Sequence, residues 1–134
     1  GYMSQSDKGE MVIGGGTDGY NNYTQRGSFH HIEETVRALI ETFPVVSRLK
    51  MLRQWGGIVD VTGDRSPILS KTPVEGMFIN CGWGTGGFKA IPGSGWAMAE
   101  LMAKGHSPLT GEFSMHRFRE GKFIDESVAA GVAH

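Results

Sequence analysis

The chain has 134 residues and a formal net charge of -1, and its 39% hydrophobic content is sufficient for one folded domain with its own core. The near-neutral charge lacks the basic excess that nucleic acids and anionic membranes attract, so we expect neither as a partner. No apolar run reaches membrane-spanning length. Glycine is the compositional outlier with 21 residues, and its clustering in loops indicates tight turns or close approach of a ligand to the backbone.

The single cysteine, Cys81, excludes an intrachain disulfide and fits a reducing compartment. No charged-then-apolar signal segment opens the sequence. We therefore predict a soluble, cytoplasmic protein. Apolar residues and glycines flank Cys81, so its thiol is interpreted as a small buried hydrophobic group rather than as a nucleophile.

The first half of the sequence predicts a β-hairpin followed by an amphipathic helix. Residues 2–5 and 10–13 are typical of short strands joined by an Asp-Lys-Gly turn. Ser28 is the predicted N-cap of a helix that runs to about Phe43 and is ended by Pro44. The apolar residues of this helix repeat at helical spacing and are Phe29, Ile32, Val36, Leu39, Ile40 and Phe43.

The second half predicts shorter elements. Residues 48–55 and 57–61 resemble strands interrupted by two glycines, residues 64–67 a turn, and residues 77–80 a short buried strand. A helix is predicted from about residue 92 to residue 104.

The predicted second helix ends at Gly105, and beyond Pro108 the sequence becomes polar and irregular. Close packing against a neighbour is favoured by three alanines on the helix, Ala97, Ala99 and Ala103. Its apolar stripe consists of Met98, Leu101 and Met102. The aromatic residues of the irregular segment are interpreted as isolated anchors and are Phe113, Phe118 and Phe123.

Two features of the first half resemble ligand sites but have simpler interpretations. Residues 14–19 are glycine-rich, yet they lack the lysine and spacing of a P-loop and the register of a dinucleotide-binding loop, which favours a plain loop. His30 and His31 begin the predicted helix without a cysteine or glutamate at metal-ligand spacing, which favours solvated or capping imidazoles. No metal site is predicted, and no catalytic triad or carboxylate pair is recognisable.

The most informative segment runs from Asn80 to Lys89 and is followed by further glycines in residues 92–95. It places flexible backbone and one cation at a strand-to-helix junction. Glycines let main-chain N–H groups approach a bound molecule, and the following helix presents its positive end to that molecule. Because Lys89 directly follows the glycine-rich turn, we interpret it as a ligand-binding residue of this junction.

An ordered set of motifs resembles the glycine/D-amino-acid oxidase family of flavoenzymes, and within it the β subunits of heterotetrameric sarcosine oxidases. Each motif alone is weak, but their order and spacing together are specific. The opening of the chain fits as well, in residues 2–5 and 9–15. The motifs are Arg53-x-Trp55-x-Gly57, Thr62-x-Asp64-x-x-Pro67, the run from Met77 to Lys89, and Gly95-x-x-Met98-Ala99.

The resemblance implies an α+β fold that is part of a two-domain flavoprotein. Residues 1–61 would belong to the substrate domain, with part of its sheet and an amphipathic helix. Residues 62–134 would supply the C-terminal strand, loop and helix of the FAD-binding domain. The N-terminal dinucleotide-binding unit of the family is not present in this sequence, so we expect the chain to be a C-terminal fragment. The helix surface that the missing domain would cover is expected to include Trp96, Met98, Leu101 and Met102.

The resemblance also implies the cofactor site. The turn from Gly84 to Lys89 would pack on the flavin of FAD, with main-chain N–H groups directed at its pyrimidine oxygens. Lys89 matches a family lysine beside the flavin that helps to hold the substrate carboxylate, and it is the predicted catalytic residue. The predicted cofactor-binding residues are Gly84, Thr85, Gly87, Phe88 and Lys89.

The reaction implied by the resemblance is oxidative demethylation of sarcosine to glycine and formaldehyde, with hydride transfer to FAD. In the complete complex, FMN would be the site of reoxidation, and its attachment would lie outside this sequence. The implied partners are sarcosine, the other sarcosine oxidase subunits and the remainder of the same subunit. Two alternatives stay open: a related dehydrogenase of dimethylglycine type, and a non-catalytic subdomain that binds a small ligand or a protein partner.

Overall fold

A computed structural model describes residues 1–124, which form two compact units. The first unit is Gly1–Ile58, and the second begins at Val59. Each contains helix and a two-stranded antiparallel sheet, so the predicted α+β class is confirmed. The assignment of residues 1–61 to a substrate domain and of residues 62–134 to an FAD-binding domain stays a prediction. No helix among residues 1–124 is long and apolar enough to cross a membrane.

The first unit opens with the predicted hairpin. Strand β1 (Tyr2–Gln5) pairs antiparallel with β2 (Met11–Gly14), so the second strand lies one residue later than predicted. In the connecting turn, the N–H of Gly9 donates to the Ser6 carbonyl at 3.0 Å, and the N–H of Ser6 donates to the Glu10 carbonyl at 2.8 Å. The Asp-Lys-Gly turn closes because Gly9 adopts the left-handed conformation, with φ of 96°.

Helix α1 (Phe29–Thr42) confirms the predicted amphipathic helix, and Pro44 ends it as expected. Pro44 also begins a 3₁₀-helical turn, Pro44–Arg48, which places Val46 in the interior. Ser28 occupies the N-cap position, but its hydroxyl donates to Asp18 at 2.8 Å instead of capping the helix. The apolar side of α1 is only half-buried, at Ile32, Val36, Leu39 and Ile40.

The prediction of strands at residues 48–55 and 57–61 is wrong. Residues 49–62 have no regular secondary structure, and residue 48 belongs to the 3₁₀-helical turn. A strand requires a partner for its backbone groups, and no described residues pair with this segment as a sheet. Its Gly56 N–H instead donates to the Gln25 carbonyl at 2.8 Å. The apolar side chains that suggested strands are largely exposed, at Met51, Leu52, Trp55 and Ile58.

The second unit is built around a β-hairpin and a helix. Strand β3 (Ile68–Lys71) pairs antiparallel with β4 (Phe78–Cys81), and helix α2 (Gly87–Lys104) packs against this hairpin. The strand at 77–80 is confirmed within one residue, and the turn predicted at residues 64–67 lies two residues earlier, closed by a hydrogen bond from the Arg65 N–H to the Thr62 carbonyl at 3.1 Å. Strand β3 was not predicted. The core consists of Leu69, Ala97, Met98 and Leu101, flanked by Phe78, Trp83 and Phe113.

Helix α2 begins at Gly87, five residues before the predicted start at Pro92. Glycine and proline are poor helix formers, so the sequence favours a loop here. The helix instead continues directly from a 3₁₀-helical turn, Gly84–Gly86, although residues 87–91 are exposed or half-buried. Its end is as predicted, because Gly105 adopts φ of 80° and donates its N–H to the Leu101 carbonyl at 3.0 Å.

Two of the three residues of the predicted apolar stripe of α2 are buried, and the third, Met102, is exposed. Met98 and Leu101 are buried against β3 and β4, with Ala97 beside them, so the expectation that they form an exposed docking surface is wrong for both. Met102 and Trp96 are each 55% exposed, as that expectation requires. The difference arises because the hairpin, whose first strand was not predicted, covers one side of the helix.

The segment beyond Pro108 is less irregular than predicted, because it contains helix α3 (His116–Glu120). Its aromatic residues are not isolated either. Phe113 packs against the core, and the rings of Phe118 and Phe123 lie 6.1 Å apart. The segment is held by Arg117, whose buried guanidinium pairs with the Asp64 carboxylate.

Candidate functional site

The candidate site is the junction between β4 and α2. We define the glycine loop as residues 82–86, which connect the two elements. Its first and third residues adopt left-handed backbone conformations, with φ of 75° at Gly82 and 55° at Gly84. A Cβ at Gly82 would lie 2.4 Å from Cγ2 of Thr62, so only glycine fits at that position.

The glycine loop is fastened to Asp60, a residue that the sequence analysis did not single out. The Gly82 N–H donates to the Asp60 carboxylate, and the Gly84 N–H donates to the Asp60 main-chain carbonyl at 3.0 Å. One aspartate therefore holds both left-handed glycines. It lies 22 residues before Gly82, and no local sequence signal connects the two.

Trp83 anchors the middle of the glycine loop. Its indole packs against the hydrophobic core, while its Nε1 donates to the Asn80 side-chain oxygen at 2.6 Å. Its carbonyl accepts the Gly86 N–H at 3.0 Å. A half-buried aromatic ring whose N–H has a hydrogen-bond partner fixes the loop to the hairpin.

The other side of the junction is open. A Cβ built at any of four glycines would meet no atom of the described residues within 4 Å, and these are Gly84, Gly86, Gly93 and Gly95. The backbone there is accessible to a molecule in van der Waals contact. Within the loop, Gly82 is therefore closely packed, whereas Gly84 and Gly86 have open Cβ positions.

The predicted site residues all lie in this junction. Gly84 and Thr85 belong to the 3₁₀-helical turn Gly84–Gly86, and Gly87, Phe88 and Lys89 are the first three residues of α2. The prediction of a turn from Gly84 to Lys89 is therefore corrected: half of it is helix. Main-chain N–H groups in a first helical turn have no partner within the helix, so they are available to a ligand.

Two exposed side chains project from this first turn. Phe88 is 87% exposed, which is unusual for a phenylalanine in a helix that packs on a core. Lys89 is also exposed, and it forms no ion pair with any of residues 1–124. The junction therefore combines an apolar ring, an ammonium group and the N-terminus of a helix.

Cys81, the residue before the glycine loop, is half-buried. Burial raises the pKa of its thiol, and the nearby Asp60 charge raises it further. A thiol with a raised pKa stays protonated near neutral pH and is a poor nucleophile. This supports its interpretation as a small hydrophobic group.

The glycine-rich residues 14–19 of the first unit end β2 and continue as a loop, as predicted. Asp18 in this loop accepts hydrogen bonds from Asn22 at 2.9 Å and from Ser28 at 2.8 Å, and these bonds lower the pKa of its carboxyl. His31 Nε2 lies 3.1 Å from the same carboxylate, whereas His30 faces Glu34. No group of three potential metal ligands occurs among residues 1–124.

Comparison with known proteins places this junction in context. The family model described as FAD dependent oxidoreductase matches residues 1–101, which include the glycine loop and most of α2. The chain belongs to this family. Its glycine loop therefore lies in a member of a family defined by FAD-dependent chemistry, and the predicted resemblance to flavoenzymes is confirmed.

The similarity to individual proteins is more specific than the match to the family model. The chain is 85% identical over 134 residues to sarcosine oxidase subunit beta of Rhodobacter capsulatus and covers 32% of that protein. It is 53% identical to sarcosine oxidase subunit beta of an Arthrobacter species, where it covers 33%. The chain thus spans about a third of the length of the curated relatives that it matches.

The fold also matches a solved structure of L-proline dehydrogenase from P. horikoshii. The TM-score is 0.77 at 25% sequence identity, and the match covers 92% of this chain and 33% of that one. The family fold is therefore kept although most residues differ between the two chains.

The residues of the junction fit the FAD that this family uses. Four glycines leave their backbone uncovered, and the amides of the first turn of α2 suit a cofactor with polar edges. A ring system in close contact needs an open backbone, because any side chain there would occupy its space.

Proposed function

We propose that this chain is a segment of the β subunit of a flavin-dependent sarcosine oxidase and that its β4–α2 junction binds FAD. The observation that carries the proposal is the combination of open glycines with the N-terminus of α2 at the end of a strand. The similarity to two sarcosine oxidase β subunits supports the choice of enzyme.

In this proposal, Gly84, Thr85, Gly87 and Phe88 contact the cofactor. The glycines allow close approach, and the first-turn N–H groups stabilise negative charge through preorganised hydrogen bonds and the positive helix end. FAD, when bound, supplies the group that accepts two electrons from the substrate. The exposed Phe88 ring contributes apolar contact area that excludes water from the site.

Lys89 is proposed to bind the carboxylate of the substrate. Its ammonium group is exposed and has no ion-pair partner among the described residues, so it is available to pair with the carboxylate of a ligand. Sarcosine, a small N-methyl amino acid, provides such a carboxylate. Holding it fixes the orientation of the N-methyl carbon that is oxidised, and the products are glycine and formaldehyde.

The proposal extends to the assembly in which the segment works. The names of the relatives designate a β subunit, which supports association with other subunits and with the remainder of the same subunit. We further propose that the complete complex contains FMN in addition to FAD and functions in the cytoplasm.

The role of Lys89 is tested by Lys89→Ala in the complete enzyme, with Lys8→Ala in the hairpin turn as the control. We expect the KM for sarcosine to rise on the order of tenfold, as for loss of a hydrogen bond to a charged group. The FAD content, measured by absorbance, should stay at the wild-type level. An unchanged KM would exclude the carboxylate role.

The choice of substrate is tested by titrating the flavin absorbance of the complete enzyme with sarcosine and, separately, with dimethylglycine. Bleaching at lower concentrations of sarcosine supports the proposal. Bleaching by dimethylglycine alone would instead support the alternative dehydrogenase. A complete subunit that contains no flavin would contradict FAD binding altogether.

A further inference from the structure

We propose that Asp60 is a positioning residue that holds the glycine loop in the shape that receives the flavin. This inference rests on the proposed function, because it takes the glycine loop to border FAD. Asp60 itself need not touch the cofactor, since its contacts are with the packed side of the loop.

The first argument is the pair of hydrogen bonds from the glycine loop to Asp60. Its carboxylate accepts the Gly82 N–H, and its main-chain carbonyl accepts the Gly84 N–H. A hydrogen bond to an ionised carboxylate is about twice as strong as a neutral one. Both glycines adopt positive φ. Because glycine populates negative φ about as readily, its own backbone preference does not select this conformation, and an external constraint is needed.

The second argument is steric. The segment that carries Asp60 continues to Thr62, whose Cγ2 would lie 2.4 Å from a Cβ at Gly82. The loop is therefore in close contact with residues 60–62 at Gly82, while the Cβ positions of Gly84 and Gly86 are open. The contact at Gly82 and the hydrogen bonds from Gly82 and Gly84 together fix the loop, while the Cβ positions of Gly84 and Gly86 stay open.

The third argument is that the charge of the Asp60 carboxylate acts on the residue next to the glycine loop. Its charge contributes to the raised pKa of Cys81, the residue that precedes Gly82. Asp60 is nevertheless an exposed residue, so its replacement should change the overall stability of the fold little. A purely structural role would give it little effect on cofactor binding, whereas a positioning role would give it a large one.

The test compares three substitutions in the complete flavoprotein. Asp60→Asn keeps an acceptor oxygen in place but removes the charge, Asp60→Glu keeps the charge but displaces the acceptor, and Asp60→Ala removes both. Glu75→Ala, which removes an exposed carboxylate from the β3–β4 turn, is the matched control. The measurements are the FAD dissociation constant, the flavin absorption spectrum and amide hydrogen exchange of residues 80–86.

We expect Asp60→Ala and Asp60→Glu to weaken FAD binding on the order of tenfold, as for loss of a hydrogen bond to a charged group. Both should alter the flavin absorption band and accelerate exchange of the Gly82 N–H. Asp60→Asn keeps an acceptor oxygen but loses the charge assistance, so it should weaken FAD binding less than Asp60→Ala and Asp60→Glu. Glu75→Ala should resemble the wild type in all three measurements.

Wild-type FAD affinity in Asp60→Glu would overturn the inference, and so would equal weakening by Asp60→Asn. If Asp60→Ala does not fold, as judged by circular dichroism of the apoprotein, the Asn and Glu variants decide the question. Absence of FAD from the wild type is a different result, because it contradicts the proposed function and removes the basis of the inference with it.

Discussion

At the residue scale, residues 1–124 contain a buried, bidentate ion pair between Asp64 and Arg117. Arg117 Nε donates to Asp64 Oδ2 at 2.6 Å, and its Nη2 donates to Oδ1 at 2.9 Å. The side chains of Asp64 and Arg117 are only 2% and 3% exposed. Each buried charge therefore needs the other as its counter-charge. Nη2 also donates to the Ser66 carbonyl at 2.7 Å, which fastens α3 to the turn before β3.

We predict that Arg117→Ala lowers the free energy of unfolding by about 3–5 kcal/mol at neutral pH, because it leaves an unpaired buried carboxylate. The loss is measured by urea denaturation. Arg119→Ala is the control, since Arg119 is exposed on the same short helix and should change stability by less than about 0.5 kcal/mol. Equal stability of the two variants would contradict the prediction.

The same experiment has a defined pH dependence. Hydrogen bonds from Arg117 hold the pKa of the Asp64 carboxyl well below its usual range, with smaller contributions from the N–H groups of Ile124 and Ser66, although burial opposes the shift. Because the folded pKa is depressed, the stabilisation is present above the unfolded value of about 3.9 and declines as the pH falls below it. The difference between wild type and Arg117→Ala should therefore shrink below about pH 4.

At the element scale, the β4–α2 junction uses glycines for two different purposes. Gly82 is required by its left-handed conformation and by the contact with Thr62. Gly86 has φ of -90° and an open Cβ position, so the chain itself does not require glycine there. On the proposed function, glycine at this position lets the cofactor approach the backbone.

We predict that Gly86→Ala leaves the thermal stability of the apoprotein unchanged or slightly raised, because alanine reduces the entropy of the unfolded chain. In the complete enzyme, the same methyl group should weaken FAD binding on the order of tenfold or more through overlap with the cofactor. Differential scanning calorimetry and FAD titration measure the two effects.

The comparison for Gly86→Ala is Gly82→Ala, which should destabilise the apoprotein itself by more than about 1 kcal/mol through strain at positive φ. If Gly86→Ala binds FAD normally, the open glycines do not form the cofactor site.

At the scale of the whole molecule, the chain exposes a large amount of apolar surface. Helix α2 is buried on one side, yet its outer side carries exposed apolar residues at Phe88, Ile91, Trp96 and Met102. A helix that is apolar all round is normally enclosed in a core. Because the chain spans about a third of its relatives, we expect the remainder of the subunit to cover this outer side.

We predict that the isolated chain self-associates in solution, because exposed apolar patches of this kind drive association. The double substitution of Ile91 and Met102 by Asp should reduce the association measured by light scattering. Leu109→Asp is the control, since Leu109 is 51% exposed but lies outside the helix. A wild-type chain that is strictly monomeric at high concentration would contradict the prediction.

The sequence by itself determined the elements whose signals are local. The Asp-Lys-Gly hairpin, the 3.6-residue periodicity of α1, the stop at Pro44 and the left-handed C-cap Gly105 were all predictable, because each depends on residues close together in the chain. The motif order also determined the family, which the match over residues 1–101 confirms.

Only the tertiary structure decided the features that depend on distant partners. Residues 49–61 have no strand because their apolar pattern found no sheet partner among the described residues. Helix α2 begins five residues early because it continues the 3₁₀-helical turn Gly84–Gly86. Asp60 meets the glycine loop across 22 residues and Asp64 meets Arg117 across 53, so neither contact follows from a local pattern. Local backbone preferences depend on neighbouring residues and are visible in the sequence, whereas burial and long-range hydrogen bonds form only when the chain folds.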